Sequence, residues 1–119
     1  MKKRALVTGA SRGIGAATAA VFARAGYQVA INYKNSGQQA EALRDGLNGA
    51  WPGCAECFPC DVADSPSVAE MVRQVEGRFG QIDVLVCNAG ISRPNLFTDI
   101  SDGEWRELFR VNVDGVFYP

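Results

Sequence analysis

The sequence predicts an α/β fold: a doubly wound parallel sheet, of which this chain supplies an N-terminal half with strand order 3-2-1-4. Three observations predict it. Strand-like and helix-like segments alternate four times along the chain. A glycine-rich turn, Thr8-Gly9-Ala10-Ser11-Arg12-Gly13-Ile14-Gly15, separates the first strand from the first helix. Gly9, Lys34, Asp61 and Asn88 fall at the C-terminal ends of successive strands, and open α/β sheets take their ligands outside those ends, where the strand order reverses.

The first strand is Ala5-Leu6-Val7, and the first helix runs from about Gly13 to Ala25 with Ile14, Ala17, Val21 and Ala25 at helical spacing. Its alanines suit close packing on a sheet, and Gly26 stands where a C-terminal cap belongs. The second strand is Gln28 to Tyr33. Ser36-Gly37-Gln38-Gln39 reads as a capping box for a second helix whose buried stripe is Ala40, Leu43 and Leu47. Gly46 weakens that helix, and Gly49 with Trp51-Pro52-Gly53 ends it. The third strand runs from about Cys54 to Cys60. Ser65-Pro66 opens the third helix, where the missing proline N–H does no harm. Val68, Met71, Val72, Val75 and Phe79 form its apolar face, and Gly80 stops it. Ile82 to Cys87 is the fourth strand, nearly continuous in apolar residues and so expected to be buried on both faces. Ser101-Asp102-Gly103-Glu104 is a second capping box, opening a fourth helix with Trp105, Leu108, Phe109, Val113 and Val116. No repeat, low-complexity tract or linker interrupts this order.

A chain of 119 residues with 47% hydrophobic content fits one globular domain. The net charge is −1 with both signs interspersed, so neither nucleic acid nor a membrane surface is an expected partner. The apolar run after the basic Met1-Lys2-Lys3-Arg4 is too short for a signal-peptide core, and no stretch could span a bilayer; a cytoplasmic location is expected. Histidine, the commonest metal ligand and general base, is absent. Cys54-x-x-Cys57-x-x-Cys60 has a spacing that iron–sulfur clusters use. Alternation along a strand would instead turn Cys57 to the face opposite Cys54 and Cys60, and the run lacks turn residues between its cysteines. No metal is expected, and the thiols read as reduced and structural.

Gly9 permits a sharp exit from the first strand, while Gly13 and Gly15 let a ligand approach the backbone with no Cβ in the way. The N–H groups of the first helical turn and the helix dipole then favour an anion. The spacing G-x-x-x-G-x-G is neither G-x-G-x-x-G nor the Walker form. A glycine triplet alone reads equally well as a structural turn.

With Asp61-Val62, Asn88-Ala89-Gly90 and Asn112-Val113 following in order, the chain resembles the short-chain dehydrogenase/reductase family over its whole length. It is similar to the family's bacterial 3-oxoacyl-[acyl carrier protein] reductases. The resemblance implies a Rossmann fold and reduction of a keto group by hydride transfer from NADPH, with NADP as the cofactor. It implies that residues 1–119 are the N-terminal part of a single nucleotide-binding domain ending before a Tyr-x-x-x-Lys segment, and that the complete protein is a homo-oligomer. On this reading Gly9, Ser11, Arg12, Gly13, Ile14 and Gly15 meet the cofactor from the loop, with Tyr33 and Lys34 after the second strand. Asp61 accepts a hydrogen bond from the adenine amino group beside the Val62 backbone, and Asn88, Ala89 and Gly90 lie beneath the ribose. Cys87 stands where the family often has asparagine.

The end of the second strand sets the cofactor preference. An acid about 20 positions beyond the glycines would bind the ribose 2′-OH of NAD. Counting from Gly13 arrives at Tyr33, between Asn32 and Lys34, and the first acid after it is Glu41. Arg12 and Lys34 suit a 2′-phosphate instead, Arg12 through a charge-assisted fork, so NADP is expected over NAD.

Asn112 is the catalytic residue expected in this chain. Asparagine is a poor helix-interior residue, because it competes for backbone hydrogen bonds. The resemblance makes it the first member of an Asn-Ser-Tyr-Lys tetrad, where it holds a water in a proton relay. The tyrosines are Tyr27, Tyr33 and Tyr118, and none has a lysine four residues on, so the chain alone is expected to be inactive. The expected substrate is a 3-oxoacyl group on acyl carrier protein. An alternative is the aminopentanone modification of elongation factor P, since Asn88-Ala89-Gly90-Ile91-Ser92 through Trp105 also looks like its reductase. A reading of another class is a short protein that binds a nucleotide, or pairs with another chain, without catalysis.

Overall fold

The computed structural model describes residues 2–90 and 101–119. Ile91 and Ser92, which carry part of the elongation factor P alternative, lie outside the described residues. Ala5, Leu6 and Val7 of β1 (Arg4–Val7) are almost wholly buried because β1 is an inner strand. It pairs in parallel with β2 (Gln28–Tyr33) on one side and β4 (Val84–Val86) on the other. β3 (Ala55–Pro59) pairs with β2, giving the order β3-β2-β1-β4 that the sequence predicts. Alternation along the strands sends Val7, Val29 and Ile31 to one core, and Leu6, Ala30 and Phe58 to another on the opposite face.

The first core lies under α1 (Gly13–Arg24) and α2 (Gly37–Ala50). The buried stripe of α1 differs from the one the spacing predicts. Gly15, Ala19 and Ala23 face the sheet, whereas Ile14 is 79% and Val21 64% exposed. Only hydrogen or methyl side chains fit where the helix lies close against β1 and β2, so the larger residues are turned outward. Gly26, with φ +91, ends α1 as predicted. The Ser36 capping box does not form. Ser36 precedes α2 with ψ 55, outside the extended geometry that caps adopt, and its side chain makes no capping bond. Ala40 and Leu47 are buried as expected, with Leu43 packed beside them.

α3 (Ser65–Phe79) covers the second core with Val68, Met71, Val75 and Phe79. Its N-cap is Asp64, whose Oδ2 accepts from the Ser67 N–H at 3.2 Å. The cysteine reading needs one correction. Cys57 and Cys60 belong to opposite faces as alternation requires, but Cys54 shares the side of Cys57 because it precedes β3 and escapes the alternation. Burial pushes the Cys54, Cys57 and Cys60 thiols up, which keeps them protonated at neutral pH.

β4 is shorter than the predicted Ile82 to Cys87, and its Leu85 is 41% exposed. Burial on both faces fails here because, among the described residues, β4 is the outer strand with a neighbour on one side only. α4 (Asp102–Phe109) starts at the expected cap, Ser101 Oγ accepting from the Glu104 N–H at 3.1 Å. A π-helical turn, Arg110–Asp114, and the short α5 (Gly115–Phe117) continue it. The predicted stripe is again displaced. Trp105, Phe109, Val113 and Val116 are about half exposed, while Val111 and Gly115 are buried. Gly115 sits so close to Val62 that a Cβ there would come within 2.7 Å of the Val62 Cγ2. Among the described residues no helix is long and apolar enough to cross a membrane.

Candidate functional site

The loop after β1 is fixed by two side chains that the sequence reading passed over. Asn32, at the end of β2, is fully buried. Its Oδ1 accepts from the Gly9 N–H at 3.1 Å, and its Nδ2 donates to the carbonyls of Phe58 and Cys60 at 3.2 and 3.3 Å. Thr8 is equally buried, and its Oγ1 accepts from the N–H groups of Asn88 and Ala89, both at 3.0 Å. Asn88 returns a bond from Nδ2 to the Gly9 carbonyl at 3.0 Å. The C-terminal ends of all four strands are thereby tied to the glycine turn. A polar residue inside an otherwise apolar strand was the available signal, since a buried amide must find partners.

The glycines divide by task. Gly9 has φ +60, and a Cβ on it would lie 2.8 Å from the Ala89 Cα. Gly15 has an ordinary φ but no room: a Cβ would meet the Gly9 carbonyl oxygen at 2.4 Å and the Asn88 Nδ2 at 2.5 Å. Gly13 combines φ +62 with open space. Arg12 is the extended N-cap of α1, and its side chain makes no capping bond. The first turn of α1 therefore keeps donors that suit an anion.

A cleft of about 460 Å³ opens at these strand ends. Of the residues singled out in the sequence, Gly9, Ser11, Arg12, Lys34, Asp61, Val62, Asn88, Ala89 and Gly90 line it. Asn32, Asn35, Ser36, Cys60, Glu107 and Val111 line it too, unanticipated. Gly13, Ile14, Gly15, Tyr33 and Asn112 are not among its lining residues. Tyr33 packs on the core beneath α1 and α2 with its ring against Gly37. Asn112 sits on the π-helical turn, its Oδ1 3.1 Å from where a Cβ on Gly90 would be. Gly90 thus gives the asparagine room beside the end of β4. Cys87 Sγ, just after β4, reaches the Val116 carbonyl at 3.7 Å, so a weak S–H bond joins the end of that strand to α5.

Asp61 is the electrostatic centre of one wall. Its Oδ1 accepts from the Ala63 N–H at 3.0 Å. Its Oδ2 faces Arg110 Nη2 at 2.7 Å and Lys34 Nζ at 3.6 Å, and Arg110 also reaches Glu107 at 3.6 Å. Burial alone would raise the Asp61 carboxyl, but the Ala63 N–H, the Arg110 guanidinium and the Lys34 ammonium together hold it below the usual carboxylate range. At neutral pH it is an ionised acceptor. A depressed folded pKa gives stability above the unfolded value, about 4, that is lost as pH falls through the lower folded value. Acid unfolding followed by circular dichroism should therefore show a steeper loss below about pH 4 in the wild type than in Asp61→Asn. Parallel acid profiles would remove Asp61 from that account.

A family model described as short chain dehydrogenase matches residues 3–119. The chain is 43% identical over 117 residues to the 3-oxoacyl-[acyl-carrier-protein] reductase FabG of Staphylococcus aureus (strain Mu50), covering 98% of this chain and 47% of that one. It is 39% identical over 117 residues to the acetoacetyl-CoA reductase of Paracoccus denitrificans, covering 98% and 46%. A solved short chain dehydrogenase from Burkholderia cenocepacia J2315, in complex with NADP, superposes with a TM-score of 0.91 at 41% identity, over 98% of this chain and 47% of that one. The chain spans about half the length of the curated relatives it matches. Sheet order, glycine turn and the match through residue 119 agree, and the chain belongs to the short-chain dehydrogenase family, a family of oxidoreductases.

Proposed function

We propose that the cleft holds NADP and that residues 1–119 are the N-terminal, cofactor-binding part of a reductase acting on a keto group. One observation carries the reading: the cleft lies at the C-terminal ends of the strands with Arg12 and Lys34 in its wall, and no acid stands at the end of β2. The residues fit the group. The donors at the start of α1 and the open space at Gly13 suit phosphates. Asp61, held ionised, suits a purine amino group, and the Val62 and Val111 side chains suit the faces of a flat ring. About 460 Å³ is in the usual range for small-ligand sites. Bound NADPH supplies the hydride; this chain's residues bind and orient it.

Asn112 is proposed to hold a water in the proton relay, with the serine, tyrosine and lysine supplied by sequence outside residues 1–119. A 3-oxoacyl thioester is the proposed substrate class, because the names of the two reductases above share it. The reading extends to a cytoplasmic homo-oligomer without nucleic-acid or membrane partners, in keeping with the mixed surface charge and protonated buried thiols.

Direct titration with both cofactors tests the first reading. The chain should bind NADPH more tightly than NADH, and Arg12→Ala should weaken NADPH by about tenfold while leaving NADH unchanged. Equal affinity for the two in the wild type would overturn it.

A further inference from the structure

The arm formed by α4, the π-helical turn and α5 has no buried residue in α4 itself. It meets the sheet through the buried Val111, through Gly115 against Val62, through the Cys87–Val116 contact, and through Arg110 on Asp61. The last is short and charge-assisted, and it joins residues 49 apart in sequence. Arg110 stands between Glu107 and Val111, both of which line the cleft.

We propose that Arg110 is a positioning residue that clasps this arm to the nucleotide end of the cleft through Asp61, so that filling the cleft and seating the arm that bears Asn112 stabilise each other. The proposal rests on the reading of the cleft as a nucleotide site. A carboxylate offers about four acceptor positions. Oδ1 takes the Ala63 N–H, and Oδ2 faces Arg110 at 2.7 Å and the half-exposed Lys34 at 3.6 Å. A donor arriving from a base displaces the looser Lys34, leaves Arg110 in place and frees an ammonium at the lip for a phosphate. A base seated between Val62 and Val111 also excludes water from the Asp61–Arg110 pair, which strengthens it. By linkage, whatever the ligand adds to the clasp, the clasp adds to the ligand.

Hydrogen–deuterium exchange over residues 102–117 tests this, with adenosine 2′,5′-bisphosphate as the probe. Without the probe, Arg110→Ala should exchange faster over 102–117 than the wild type, with α1 and β1 unchanged. The probe should slow exchange in the wild-type arm by about fivefold. In Arg110→Ala it should bind about fivefold more weakly and protect the arm no longer. Arg110→Lys, which keeps the charge but not the guanidinium that reaches both Asp61 and Glu107, should restore part of both effects. Equal arm exchange in wild type and Arg110→Ala, with equal protection by the probe, overturns the clasp. Should Arg110→Ala loosen the whole sheet, Arg110→Lys decides: partial recovery of arm protection supports the clasp and none overturns it. A probe that does not bind the wild type overturns the nucleotide reading, and the ligand-free comparison then decides the clasp by itself.

Discussion

Gly15→Ala is expected to lose about 3 kcal/mol of stability, the upper end of what overpacking costs, and to lose nucleotide binding with it. The added methyl would meet the Gly9 oxygen at 2.4 Å, the Asn88 Nδ2 at 2.5 Å and the Ala10 Cα at 2.9 Å. Two of these belong to the backbone of the glycine turn, so relief means moving the turn or lifting α1 off the sheet. Two other glycines separate packing from conformation. Gly13→Ala meets nothing within 4 Å but must hold φ +62, a strain of about 1–2 kcal/mol. Gly46→Ala meets nothing, has no such φ and lies inside α2, so it should gain about 0.5–1 kcal/mol. Urea unfolding of the three variants should rank them Gly46 above wild type, then Gly13, then Gly15. A Gly15→Ala chain as stable as the wild type would mean that the loop is not held as tightly as its bonds to Asn32 and Asn88 imply.

Residues 1–119 made alone are expected to self-associate and not to reduce a ketone. Among the described residues nothing pairs with the outer edge of β4, and its Leu85 is exposed. Trp105, Phe109, Val113 and Phe117 add apolar surface on the arm, and Ile14 and Val21 add more on α1. Unpaired strand edges and large apolar patches are the usual routes to association. Light scattering across a concentration series should give a mass above that of one chain. Reduction should fail because no tyrosine is spaced with a lysine to supply and tune the proton, and general acid catalysis alone is worth about 10²–10⁴-fold. A monomer with a cooperative unfolding transition would refute the structural claim. Oxidation of NADPH by a 3-oxoacyl thioester would refute the chemical one.

Strand order and most helix positions were legible because apolar runs and glycines punctuate this sequence strongly. β2 spans the predicted Gln28 to Tyr33. The buried face of α1 was misread because periodicity weighs Ile14 and Val21 above alanine, whereas the closeness of helix and sheet decides which side chains fit. Ser36 had the right residue types for a capping box, but its backbone does not adopt the geometry. At the cleft, Gly9, Lys34, Asp61 and Asn88 announced themselves by position after strands. Thr8 and Asn32 did not, since their bonds go to segments that only the fold brings near. The Arg110–Asp61 pair was invisible for the same reason.

The bonds around the glycine turn differ in the length of chain they close. Gly9 to Asn32 spans 23 residues and Asn32 to Phe58 spans 26, but Asn88 to Thr8 spans 80. In equilibrium terms the difference is slight, since each doubling of a loop costs only about 0.6 kcal/mol. In time it weighs more, because distant contacts form only after nearer ones have shortened the path between them. β1, β2 and β3 have connections short enough to assemble as the chain emerges, and Asn32 can seat the inner side of the turn at that stage. Thr8 must wait for β4. The anion-facing side of the turn is thus shaped early and the side toward Asn88 late, and the cleft is closed only once β4 and the arm that carries Glu107 and Val111 are in place.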